Sequence, residues 1–82
     1  MKIEVLGTGC ARCRKLHELV EKAVAAAGVD AEVSKVERLE DIAKYGVAFT
    51  PALLIEGSVK ASGGIPKVEQ IETWLKEADR AK

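Results

Sequence analysis

The stretch from Ala11 to Ala27 constrains the fold more than any other part of the chain. Leu16, Leu19, Val20, Ala23, Val24 and Ala27 recur in it at three- and four-residue spacing, which gives a helix one apolar face. It lies between two strand-like runs, Lys2–Leu6 and Val29–Val36, the second alternating through Val29, Ala31 and Val33. Strands joined by so long a helix pair in parallel, through a right-handed crossover. In the first run Ile3 and Val5 share one face, and Glu4 and Leu6 share the other. Gly7-Thr8-Gly9 breaks that strand, the helix begins at Cys10 or Ala11, and Gly28 stands where a glycine commonly closes a helix.

After this unit the pattern changes. Leu39–Tyr45 reads as a short helix turning Leu39, Ile42 and Ala43 inward, and Gly46 stops it. Val47-Ala48-Phe49-Thr50 leads into Pro51. Ala52–Ile55 is a continuous apolar strand, Glu56-Gly57-Ser58 a hairpin turn, and Val59–Ser62 the return strand. Gly63-Gly64-Ile65-Pro66 ends it, the two glycines marking a close backbone approach. A last helix runs from about Lys67 to Ala78, with Val68, Ile71, Trp74, Leu75 and Ala78 as its core stripe, and the polar tail Asp79–Lys82 frays. The order β-α-β-α-β-β-α predicts an α/β architecture, a mixed four-stranded sheet flanked by three helices on both faces, forming one domain over residues 1–82.

Composition removes several classes of function. The 13 basic and 13 acidic residues balance, which argues against a nucleic-acid or anionic-membrane partner. No apolar run approaches the roughly 20 residues of a membrane span. The start, Met1-Lys2-Ile3-Glu4-Val5-Leu6, is too short and too charged for a secretory signal, so the expected compartment is the cytoplasm. Nothing in the sequence asks for more than a monomer. With 48% apolar residues but one Trp, one Tyr and one Phe, the core must be aliphatic.

The chemistry resides in Cys10-Ala11-Arg12-Cys13, which holds both cysteines of the chain. The pair falls at a helix N-terminus, where unpaired backbone N–H groups stabilise a thiolate. Arg12, Arg14 and Lys15 add positive charge nearby. Such a dithiol can exchange disulfides, or it can hold a thiophilic metal. In a cytoplasmic protein a disulfide is more often catalytic than structural.

Three fragments, Gly7-Thr8-Gly9-Cys10-Ala11-Arg12-Cys13, Tyr45-Gly46-Val47 and Thr50-Pro51-Ala52-Leu53, resemble the small thioredoxin-like and glutaredoxin-like proteins known as redox-active disulfide proteins, members of the thioredoxin superfamily. The resemblance spans about residues 2–78. It implies a thioredoxin-like fold and a thiol-disulfide oxidoreductase acting on disulfides of partner proteins. By the same resemblance Cys10 is the nucleophile and Cys13 the resolving thiol. Pro51 forms a cis peptide with Thr50, and the two contribute the substrate-binding loop. Ala11 and Arg12, standing where larger thioredoxins carry Gly-Pro, tune the thiolate. No metal or cofactor is implied beyond the Cys10–Cys13 disulfide itself, and the expected electron donor is a flavoprotein disulfide reductase. The Cys-Pro-Tyr-Cys of many glutaredoxins is absent, which argues against use of glutathione.

A second reading stays open at this level. Residues 2–33 are also similar to heavy-metal-associated domains, which carry copper on Gly-Met-Thr-Cys-x-x-Cys, although this chain lacks the Met. Cys10, Cys13 and His17 make at most a partial zinc site, and His17 is expected at the border of the helix. Glu4, six residues before Cys10, is placed like the buried acid that larger thioredoxins use to move the resolving proton. The sheet face it occupies is thinly covered, so it is expected to be solvated. Trp74 is expected in the core, and Phe49 either edges the substrate groove or lies under the Pro51 loop.

Overall fold

The computed structural model describes residues 1–8, 11–47 and 49–80. Gly9, Cys10, Ala48, Ala81 and Lys82 lie outside the described residues. The elements are β1 (Lys2–Leu6), α1 (Ala11–Ala27), β2 (Glu32–Val36), α2 (Leu39–Lys44), β3 (Ala52–Ile55), β4 (Ser58–Ser62) and α3 (Val68–Arg80).

Pairing orders the sheet β2-β1-β3-β4. β1 runs parallel to β2, with Lys2 opposite Glu32 and Leu6 opposite Val36. It runs antiparallel to β3, with Ile3 opposite Ile55 and Leu6 opposite Ala52. β1 and β3 are the inner strands and carry the buried apolar residues, whereas β2 and β4 form the edges. The crossover expected from the long amphipathic stretch is the β1-α1-β2 unit. β4 returns antiparallel to β3 through the two-residue loop Glu56–Gly57, whose φ values of 52° and 81° match the twist of the flanking strands.

Alternation divides the core. Ile3, Val5, Leu53 and Ile55 turn to one face, where they meet Leu16, Val20 and Ala23 of α1 and Ile71 and Leu75 of α3. Leu6, Ala52 and Leu54 turn to the other, covered by Ile42 of α2. Burying one such side chain stabilises the fold by about 1.5–3 kcal/mol, so the larger cluster dominates.

Several boundaries depart from the sequence reading. β2 begins at Glu32 rather than Val29, because its pairing with β1 begins at Lys2 opposite Glu32. Residues 29–31 have no strand beside them, although Val29 and Ala31 still pack against the core. β4 gains Ser58, which pairs with Ile55. α2 ends one residue early, at Lys44, and α3 continues to Arg80 through part of the expected fraying tail. α2 buries only Ile42; Leu39 is 71% exposed, because six residues present barely one side chain to the sheet. Trp74 is half-buried at the margin of the larger cluster rather than inside it.

Candidate active site

The site forms where the end of β1, the start of α1 and the loop before β3 meet. Gly7 follows β1, and its N–H extends the ladder by bonding the Val36 carbonyl at 2.9 Å. A Cβ placed on Gly7 would overlap Cys13 Sγ, stand 2.9 Å from Cys13 Cβ and lie 4.0 Å from Pro51 Cα. Glycine is what lets the cysteine of α1 and the proline loop close on the strand end. Cys13 is 6% exposed in this corner, and Pro51 is fully buried. The Thr50–Pro51 peptide is cis. Thr50 and Phe49 face solvent.

A chain of hydrogen bonds links α1 to that loop. Arg12 Nη2 donates to the Gly63 carbonyl at 2.9 Å. The Gly63 N–H donates to the Pro51 carbonyl at 2.9 Å, and Ser62 Oγ donates to the Phe49 carbonyl at 2.9 Å. Gly63 has φ of 82°, and a Cβ there would stand 2.9 Å from Phe49 Cβ, so both conformation and space require glycine. The guanidinium that the sequence assigned to tuning the thiolate is thus bonded to a backbone carbonyl across the site.

On the sheet face of α2 lies a polar pair. Glu4 is 6% exposed, and the Tyr45 hydroxyl donates to its Oε2. The expectation that Glu4 is solvated is therefore wrong. Tyr45 caps the C-terminal end of α2 and reaches back over the thin face. The Glu4 hydrogen bond pushes the Tyr45 phenol up from its ordinary value, helped by desolvation and by the negative charges of Glu4 and Asp41.

On the opposite face a cavity of about 130 Å3 borders Cys13. Val5 and Gly7 form its floor, Cys13, Arg14 and His17 one wall, and Lys35 and Glu37 the other. His17, at the border of α1 as expected, keeps 18% side-chain exposure, and its Nδ1 stands 3.1 Å from Glu21 Oε1.

Of the residues proposed from sequence, Cys13 and Pro51 come together, Thr50 lies beside them on the surface, and Ala11 and Arg12 are exposed at the start of α1. Cys10 lies outside the described residues. Sequence reasoning read Gly7 only as a strand breaker and did not find the Tyr45–Glu4 bond or the Ser62–Phe49 bond. A glycine directly after a strand and six residues before Cys13 was the signal available for the first. Among the described residues, no group of three or more His, Cys, Asp or Glu side chains is placed to hold a metal ion. No helix among them is long and apolar enough to cross a membrane.

The thioredoxin-domain family model matches residues 1–76. The chain belongs to the thioredoxin-domain family. It is similar to a thioredoxin of Methanothermobacter thermautotrophicus, at 36% identity over 75 residues, covering 92% of this chain and 97% of that one. It is also similar to a thioredoxin of Methanocaldococcus jannaschii, at 40% identity over 74 residues, covering 90% of this chain and 85% of the relative. As a thioredoxin domain it has the mixed four-stranded sheet and three helices that the element order predicted.

Proposed function

We propose that this thioredoxin-domain protein is a thiol-disulfide oxidoreductase that reduces disulfides of partner proteins through Cys10 and Cys13. The observation that carries the reading is the convergence of Cys13, Gly7 and Pro51 at the end of β1, with Cys10 the residue immediately before α1 in the sequence.

In the proposed cycle the Cys10 thiolate attacks one sulfur of a substrate disulfide. That S–S bond breaks, the second substrate sulfur leaves as a thiolate, and a mixed disulfide forms on Cys10. Cys13 loses its proton and attacks the Cys10 sulfur. The mixed disulfide breaks, the first substrate sulfur leaves, and the Cys10–Cys13 bond closes. Two electrons have passed from the dithiol to the substrate. The second attack is intramolecular, which lets it outpace release by a thiol from solution. The loop at Thr50 and Pro51 receives the substrate segment, with Ala11 lying between the cysteines and Arg12 bracing that loop through its bond to the Gly63 carbonyl. A flavoprotein disulfide reductase restores the dithiol. The protein works as a monomer in the cytoplasm and needs no cofactor other than its own disulfide.

The test is a trap. Cys13→Ser, supplied with a protein disulfide, should accumulate substrate bound at Cys10, located by mass mapping of the adduct, while Cys10→Ser should be inactive. An adduct on Cys13 in the Cys10→Ser protein would reverse the roles. Copper(I) or zinc bound tightly by a protein that turns over no disulfide would favour the metal-carrier reading instead.

A further inference from the structure

When Cys13 attacks, its thiol proton must leave a site that is 6% exposed. The acid that the sequence offered for this task, Glu4, is on the wrong side of the sheet. It shares a face with Leu6, is covered by α2 and is engaged by Tyr45. Cys13 borders a cavity floored by Val5, on the opposite face. Among the side chains lining that cavity, His17, the one histidine of the chain, offers a ring nitrogen that can accept a proton.

Three features of the cavity fit the role. Cys13 and His17 are four residues apart on α1, so their Cβ atoms lie about 5–6 Å from each other on one helix face. That spacing sets both side chains on the same wall of the cavity, where one water can bridge them. The cavity, at about 130 Å3, far exceeds the roughly 10–15 Å3 that a water needs, and Arg14, His17, Lys35 and Glu37 line it with polar groups. Glu21 Oε1 stands 3.1 Å from Nδ1, which keeps the ring proton on that nitrogen and leaves the Nε2 lone pair to accept.

We propose that His17, held by Glu21 and joined to Cys13 by water in the shared cavity, accepts the Cys13 proton during the resolving step. The proposal rests on the dithiol reading of Cys10 and Cys13. The step balances: the proton passes from Cys13 Sγ through water to His17 Nε2, the Cys13 thiolate forms a bond to the Cys10 sulfur, and the Cys10–substrate bond breaks. The imidazolium faces Glu21, and the thiolate faces the cations Arg14 and Lys35, with the Glu37 carboxylate opposing them across the cavity. His17 later returns its proton to solvent or to the departing substrate thiolate.

The experiment uses the reduced full-length protein and an aryl disulfide whose released thiolate is coloured. Attack by Cys10 releases one equivalent, and resolution by Cys13 releases the second. His17→Ala should slow the second release by about a hundredfold, the low end of what a positioned base contributes, and leave the first unchanged. Added imidazole should restore the second release in His17→Ala but not in His17→Phe, where a ring fills the space. Glu4→Gln should leave both releases intact. A second release indifferent to His17→Ala, one not rescued by imidazole, or one lost in Glu4→Gln would overturn the relay alone. If the unaltered protein gives no second release, the dithiol reading falls and the relay falls with it.

Discussion

The Tyr45 hydroxyl donates its hydrogen bond to Glu4 Oε2, tying the end of α2 to the central strand β1. The bond exists only while the phenol keeps its proton, and the carboxylates of Glu4 and Asp41 oppose a phenolate. The sole tyrosine should therefore ionise above the ordinary phenol value of about 10, and its ultraviolet titration reports this without overlap from another tyrosine. The folded value is the higher one. The contribution of this bond to stability is then complete below the unfolded phenol value and disappears as pH rises through the folded one. Glu4→Gln removes the repelling charge and should bring the transition down. An identical titration in both proteins would disprove the coupling.

Gly7→Ala should harm the site more than its size suggests. The new methyl would overlap Cys13 Sγ, and overpacking of this kind costs about 1–3 kcal/mol. Resolution by Cys13 should slow as well, because the sulfur must shift. Gly28→Ala is the control. Its φ of 67° strains any side chain but its surroundings are open, so it should lower the denaturation midpoint and leave disulfide turnover per folded molecule unchanged. Equal effects of the two substitutions on turnover would show that the Gly7–Cys13 approach does not matter.

The order of elements was readable because each rests on local periodicity: the apolar stripe of α1, the alternation in β1, the unbroken run Ala52–Ile55. What was not readable depends on partners distant in sequence. β2 starts where β1 can pair with it, which no residue in 29–36 encodes. Glu4 looked solvated because its cover comes from Tyr45, far along the chain. Leu39 looked inward from its spacing to Ile42, but a helix of six residues has no second turn to bring it down. Cys13 and Pro51 could be paired from the family resemblance, whereas the Arg12–Gly63 bond could not, since nothing in the sequence says where a long cationic side chain will point.

Arg12→Ala should act on substrate binding. The Arg12–Gly63 bond supports the segment that carries Ser62 and holds the carbonyls of Phe49 and Pro51. Losing one such bond is worth about 0.5–1 kcal/mol, so KM for a protein disulfide should rise roughly two- to fivefold with kcat nearly unchanged. Ser62→Ala should behave similarly, since it loosens the same loop without removing charge. A fall in kcat at constant KM for Arg12→Ala, with Ser62→Ala silent, would mean that Arg12 acts on the thiolate instead.

Along the hairpin, Leu53 pairs with Ala61 but Leu54 pairs with Val59, leaving Lys60 as an extra residue in the edge strand β4. A neighbouring molecule that tried to add its own strand there would find the backbone bonding groups out of step, with an ammonium-bearing residue at the break. The flank of the molecule nearest the proline loop thereby discourages lateral stacking of identical copies along β4, which leaves the corner of Cys13 and Pro51 open to partners.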